Sequence, residues 1–497
     1  MFPVAGAGPT PRGSRRRSGQ WAASASLAPP CHHGEVQRRG RTHTRPALLV
    51  AILGAVLLLG GCWTSPPGSG SAVRSGAATD RGVASGRLPG TASGSGPSTA
   101  TAPSATGLGG GPGTISRQQQ VQAERLVSGR WRAGAAADLS GWLAGVRGER
   151  LLAEQRAVFT RVQAVGIADP QLVSLTAAQA AASGTGPTSW AARAVLTYRI
   201  RGFDRAPRSM ALDLRFSSDP VSGLALVSSA PGDRPQPWDL PGLLVRRSPH
   251  DLVLGNTDPR RLDEVLRRAS AAERRARAVW GQVPPTVWVV PASDAETARL
   301  LGTGLPALAG VAAVTDGPLG PTGAAGADRV VLVPSAWATV PGEARDVVLT
   351  HELTHVAARS STTRPVPLWL SEGFADYVAY RGVPLGEQQV AAPLLRQLRR
   401  DGVPDRLPDE RAFDPGSGRL AAAYGAAWLA VRALAQQHGE AALVRFYRAA
   451  AGGIQLAGGT HGNDDAGVDA SLRAVLDMSR EDLDRAWRQR LIGLLAR

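Results

Sequence analysis

The chain has 497 residues, which is enough for two or three domains of about 150 residues each and for a large buried core. Its apolar content of 43% is that of a globular protein, but its 59 glycines and 37 prolines are unevenly placed, which predicts that part of the chain is unfolded. All 56 basic residues are arginine and the formal net charge is +16, but the arginines are spread evenly through the later part of the chain, so we expect no nucleic-acid binding.

The first element is an apolar run at residues 46–60, PALLVAILGAVLLLG, which follows an arginine-rich flank. It is shorter than the roughly 20 residues of a comfortable membrane span, so residues 1–61 are predicted to be a secretory signal peptide. The sequence LGGC at 59–62 resembles the bacterial lipobox, in which cleavage precedes a cysteine that becomes diacylated. The resemblance implies that Cys62 is the lipidated first residue of the mature protein.

An uncleaved anchor is the alternative interpretation, with the arginines retained on the inner side of the membrane. Both interpretations place the remainder of the chain at the extracytoplasmic face of the cell membrane. Cleavage would discard Cys31, the only other cysteine, so the mature protein would have no pair of thiols for an intramolecular disulfide.

Residues 62–115 are predicted to be a tether. They consist mainly of Gly, Ser, Thr, Pro and Ala, and they lack the large apolar side chains that would repay the entropy of folding. A flexible coil of some 50 residues spans about 40 Å, which would hold the following domains clear of the lipid surface.

Residues 116–246 are predicted to form a small α+β domain of cystatin- or NTF2-like shape. Apolar residues first recur at helical intervals, and strand-like alternation follows at 190–203, 209–217 and 223–230. No catalytic spacing occurs in this domain. Two interpretations therefore remain open: a module that binds substrate or a partner, and a spacer or prodomain-like support.

Residues 247–497 begin with a predicted strand at 251–255 and a long amphipathic helix at 258–281. Short β-branched runs bounded by Gly and Pro predict that further strands complete a sheet, at 286–291, 310–317 and 328–334.

The motif HELTH follows at residues 351–355 and fits the pattern H-E-x-x-H. His351 and His355 are four residues apart, so on a helix both side chains leave the same face and can bind one metal ion. Glu352 projects in a neighbouring direction, from which it can act as general base on water activated by that ion. The ligand types favour Zn²⁺, one ion per chain.

A catalytic zinc site needs a third protein ligand and one open position. Glu372 is the candidate, separated from His355 by 16 residues. It lies in WLSEGFADY, at 369–377, whose apolar residues predict a second packed helix.

HELTH together with WLSEGFADY resembles the gluzincin metallopeptidases, the group that contains thermolysin and the membrane aminopeptidases, and most closely the compact bacterial peptidase-MA-like domains. The resemblance covers roughly residues 248–497. It implies that Glu372 is the third zinc ligand and that Asp376, one turn further along, orients His351. It also implies an oxyanion-stabilising group from a later helix, a position that Tyr424 matches in order and context. A tyrosine of the core or of an interface is the alternative for Tyr424.

Other histidines give weaker signals. We expect His438 to be a cation at a helix C-terminus, His461 to lie exposed in a glycine-rich loop, and His250 to have no ligand-like neighbour.

The sequence therefore predicts an α+β gluzincin-type metallopeptidase domain behind an α+β accessory domain, acting on a peptide or protein substrate. The stretch at 323–343 lacks the G-x-M-E-N segment of aminopeptidases in this group, which favours an endopeptidase. The alternative is a catalytically degenerate scaffold that binds a cell-envelope partner.

Overall fold

The computed structural model describes residues 115–177, 188–219, 221, 223–319, 323–452 and 465–497. The predicted signal peptide, Cys62, His461 and nearly all of the tether lie outside these ranges, and the roles assigned to them remain predictions. Among the helices of the described ranges, none has the length and apolar content that a membrane crossing requires.

The N-terminal part, residues 116–243, is called the accessory domain below. Helix α1 begins with a capping box in which Ser116 and Gln119 bond each other's main-chain N–H groups. The strands form one antiparallel sheet in the order β1-β2-β3-β4. The elements are α1 (Arg117–Ala135), α2 (Leu139–Leu143), α3 (Glu149–Val165), β1 (Ile167–Ala177), β2 (Thr188–Ile200), β3 (Arg208–Asp219) and β4 (Gly223–Pro231).

Strand β1 was not predicted from the sequence. Its register against β2 shifts twice, between Ala168 and Gln171 and between Leu172 and Ser174. Each shift interrupts the two-residue alternation on which strand prediction depends.

The C-terminal part contains a second sheet with the order β5-β6-β7-β9-β8, in which β6, β7 and β9 are parallel and the edge strands β5 and β8 are antiparallel to their neighbours. The chain is thus a mixed α+β protein. The elements are β5 (Leu244–Arg247), β6 (Asp251–Gly255), α4 (Pro259–Trp280), β7 (Thr286–Val290), α5 (Asp294–Leu301), β8 (Ala313–Asp316), β9 (Arg329–Leu332), α6 (Pro334–Thr339), α7 (Gly342–Arg359), α8 (Leu368–Tyr380), α9 (Glu387–Val390), α10 (Ala392–Asp401), α11 (Leu420–His438), α12 (Glu440–Ala450), α13 (Asp465–Leu476) and α14 (Arg480–Leu495).

Most element predictions agree with this structure to within a few residues. The predicted helix at 258–281 is α4, whose N-terminus is capped by the side chain of Asp258. The predicted strand at 310–317 is shorter and covers Ala313–Asp316. The second sheet begins at Leu244, so the predicted domain boundary between residues 246 and 247 falls within its first strand.

Both faces of the parallel strands β6, β7 and β9 are buried, which explains why these three strands lack an exposed polar side. One face packs against helices of the C-terminal part, through Val253, Trp288, Val290, Val330 and Leu332. The other packs against the accessory domain, through Leu252, Leu254, Val287, Val289 and Val331. The accessory domain is therefore a layer of the same packed body.

Helix α7 carries HELTH and is buried along most of its length between α4, α8 and the sheet. Helix α8 in turn packs closely on α11. A Cβ atom at Gly373 would lie 2.5 Å from the carbonyl oxygen of Ala427, so only glycine permits this approach. The neighbouring Glu372 is thereby fixed at the centre of the fold.

Candidate active site

His351, His355 and Glu372 converge at one buried point, each at most 4% exposed. The Nε2 atoms of the two histidines are 3.0 Å apart. Oε2 of Glu372 lies 3.2 Å from Nε2 of His351 and 3.4 Å from Nε2 of His355. The structure therefore brings together the three side chains that the sequence proposed as ligands.

The three donor atoms fit a tetrahedral zinc ion. Bonds of about 2.0–2.1 Å at tetrahedral angles place ligand atoms roughly 3.3 Å apart, close to the distances here. Both carboxylate oxygens of Glu372 are buried and accept no well-aligned hydrogen bond. Zinc ligation requires both histidines to be neutral, which would leave this buried carboxylate without a counter-charge, and an ion at this point would supply one.

Asp376 lies one turn after Glu372 on α8 and accepts a hydrogen bond from Nδ1 of His351 at 2.8 Å. This bond places the Nδ1 proton toward Asp376 and leaves Nε2 free to face the ligand cluster. Burial alone would lower the pKa of His351, but Asp376 and Glu372 outweigh it and raise that pKa well above its usual range.

The pKa values of the three carboxylates around the histidines shift in different directions. Burial would raise the pKa of Glu372, but the two histidines outweigh burial and lower it. Burial raises the pKa of Asp376 in spite of its bond to His351. It likewise raises the pKa of Glu352, which is 4% exposed. Glu372 is thus the carboxylate whose surroundings most favour the ionised form that a metal ligand requires.

Sequence reasoning missed Thr315. This residue lies on β8 and is 6% exposed. Its hydroxyl donates a hydrogen bond to Oε2 of Glu352 at 2.7 Å. The same hydroxyl is 3.2 Å from the main-chain oxygen of Glu352. Thr315 therefore fixes the carboxylate that the motif proposes as general base. No signal in the sequence pairs these two residues, because they are 37 positions apart on different elements.

Tyr424 lies on α11, with its ring centroid 6.2 Å from that of His351 and its side chain packed against Phe413. It is 5% exposed, so it lines the buried side of the site. His438 ends α11, where its Nε2 is 3.1 Å from the sulfur of Met478, and His250 lies 4.0 Å from Glu273. Neither of these two histidines belongs to the ligand cluster.

Replacing Asp376 by alanine is expected to weaken zinc binding about 10- to 100-fold, because His351 loses the partner that sets its proton and its orientation. Competition with a chromophoric chelator measures the dissociation constant. Asp401→Asn, at the exposed end of α10, is the matched control. An unchanged affinity in Asp376→Ala would show that the His351–Asp376 bond does not support the metal.

The chain matches no protein-family model and no curated protein sequence. Two crystal structures of an M1 zinc metallopeptidase from Deinococcus radiodurans, one of them a substituted form bound to a Tyr-Ser-Ala substrate and the other the same form alone, are similar at 18% sequence identity. The TM-scores are 0.31 and 0.30. Each alignment covers 64% of this chain and 62% of the other, so the chain spans about three-fifths of that protein.

Proposed function

We propose that this chain is a zinc-dependent peptidase of the gluzincin type. The observation that carries the proposal is the buried convergence of His351, His355 and Glu372 on one tetrahedral position. Asp376 behind His351 and Thr315 behind Glu352 add the supporting bonds that a catalytic site requires.

Each residue then has a role in peptide-bond hydrolysis. Zinc, when bound, supplies a Lewis acid that polarises the scissile carbonyl and makes water acidic. His351, His355 and Glu372 would hold the ion. Glu352 accepts the proton of the attacking water and passes it to the leaving amine nitrogen. Tyr424 is proposed to donate its hydroxyl to the developing oxyanion.

An endopeptidase is favoured over an aminopeptidase. The stretch before the motif helix, residues 323–343, carries no G-x-M-E-N segment such as aminopeptidases of this group show. The proposed location is the outer face of the cell membrane, with Cys62 lipidated. Release of the chain from membranes in Cys62→Ser would support this location, and unchanged membrane retention would contradict it.

The test is metal analysis of the chain from residue 63 onward, combined with cleavage of a mixed-sequence library of internally quenched peptides. We expect close to one zinc per chain and peptide cleavage. A chelator should remove both, and added Zn²⁺ should restore both. A purified wild type that holds no metal at physiological zinc would overturn the proposal and favour a binding scaffold.

A further inference from the structure

Two arginines of the accessory domain converge on one aspartate of the second sheet. Arg208, the first residue of β3, donates through Nη2 to Oδ2 of Asp316. Arg234 donates through Nη2 to the same oxygen at 2.8 Å. The side chain of Asp316 is 18% exposed and that of Arg208 13%, so both charges are largely removed from water. Burial would raise the pKa of Asp316, but the two arginines outweigh it and lower that pKa, which keeps the carboxylate ionised.

Further arginine hydrogen bonds reach main-chain carbonyl groups near Asp316, and one of these arginines, Arg359, lies outside the accessory domain. Nη1 of Arg208 lies 3.3 Å from the carbonyl oxygen of Asp316 and 3.1 Å from that of Ala327. Nη2 of Arg359, at the end of α7, donates to the carbonyl oxygen of Gly317 at 2.7 Å. Nε of Arg234 donates to the carbonyl oxygen of Leu300 at 2.9 Å, which ties this arginine to the end of α5.

Main-chain hydrogen bonds and a buried ion pair fix the accessory domain against the second sheet near these arginines. Its β2–β3 turn donates the N–H groups of Arg205 and Ala206 to the carbonyl oxygen of Gly326, at 2.8 and 3.1 Å. In the same turn, the carboxylate of Asp204 accepts hydrogen bonds from both terminal nitrogens of Arg329, at 2.6 and 2.7 Å. Asp204 and Arg329 are almost fully buried, at 1% and 3% side-chain exposure. The start of β3 is thereby fixed relative to the second sheet.

Asp316 is the residue next to Thr315, which bonds Glu352. Both lie on β8, a four-residue edge strand of the described sheet that pairs with β9 alone. A short edge strand with one neighbour has few main-chain bonds of its own to fix its position. The arginine contacts at Asp316 therefore add a restraint to the strand whose Thr315 bonds Glu352.

We infer that the accessory domain positions the general base, through a path from Arg208 and Arg234 to Asp316 and from Thr315 to Glu352. This inference rests on the proposed function. It assigns the accessory domain a part in the reaction, in place of a role as spacer or as a separate binding module. Arg208, Arg234 and Asp316 are positioning residues, since none belongs to the ligand cluster or bonds Glu352 directly.

The first measurement is hydrogen–deuterium exchange of residues 313–317 in the metal-free full chain, which needs no catalysis. We expect exchange in this segment to rise about tenfold in Arg208→Gln and in Arg234→Gln, because β8 loses its restraint. Arg208→Lys should recover most of the protection, since lysine keeps the charge toward Asp316. Arg215→Gln is the matched control, an exposed arginine on the same strand β3.

The second measurement is kcat and KM per bound zinc on a peptide from the library that the wild type cleaves. Arg208→Gln should lower kcat about 10- to 100-fold, with KM and zinc content nearly unchanged, because Glu352 is misplaced while the ligands are not. Adding Thr315→Val to Arg208→Gln should cost little beyond Thr315→Val alone, because both changes act through Glu352.

The outcomes separate this inference from the proposed function. Unchanged exchange at 313–317 in Arg208→Gln, or a kcat that falls only in proportion to lost zinc, would overturn the positioning role in an enzyme that remains a peptidase. A zinc-loaded wild type that cleaves no peptide would instead overturn the proposed function, and the exchange result would then still decide whether the arginines restrain β8.

Discussion

Replacing Glu352 by glutamine is expected to lower kcat for peptide cleavage about 10²- to 10⁴-fold while zinc content stays at the wild-type level. The amide cannot accept the proton of the attacking water. Glutamine keeps the length of the side chain, and its carbonyl oxygen can still accept a hydrogen bond from the hydroxyl of Thr315. The ligand cluster of His351, His355 and Glu372 does not include this residue, so metal binding should persist.

The measurement is single-turnover cleavage of a library-derived peptide, paired with metal analysis of the same sample. Glu343→Gln is the matched control, because Glu343 lies on the same helix α7 but is exposed in its first turn. Activity equal to wild type in Glu352→Gln would remove Glu352 from the mechanism. Loss of zinc together with activity would mean instead that the substitution disturbs the ligands.

The convergence of His351, His355 and Glu372, with Asp376 beside them, could be predicted from sequence because helix geometry fixes most of it locally. His351 and His355 share a helix face by their spacing, and Glu372 and Asp376 share another in the same way. A contact between the two helices then completes the set. The prediction needed one tertiary contact, and the apolar residues that flank both motifs indicated it.

The support around Glu352 could not be predicted for the opposite reason. Thr315 is 37 positions from Glu352, and Arg208 is 108 positions from Asp316. No periodicity relates positions at such separations. Both contacts depend on where β8 lies at the edge of the sheet and on how the accessory domain packs against it. The sequence next to a threonine in a short strand, or next to an arginine in an arginine-rich chain, does not indicate such contacts.

Replacing Glu372 by glutamine is expected to weaken zinc binding more than 100-fold, beyond the roughly 10- to 100-fold effect of an outer partner such as Asp376. A neutral amide oxygen is a poorer zinc ligand than a carboxylate. Peptide cleavage should be lost in the same proportion as zinc and should return, at least in part, at high added Zn²⁺. Chelator competition gives the affinity, and Glu343→Gln again serves as control.

Glu372→Asp distinguishes loss of the ligand from loss of the fold. Aspartate keeps the negative charge between His351 and His355 but draws the carboxylate back by one methylene, so its zinc affinity should fall between those of wild type and Glu372→Gln. Circular dichroism and thermal unfolding of both variants check that α8 remains packed. If both variants fold and bind zinc as tightly as wild type, the third ligand is another group, and Glu372 is not needed to hold the metal.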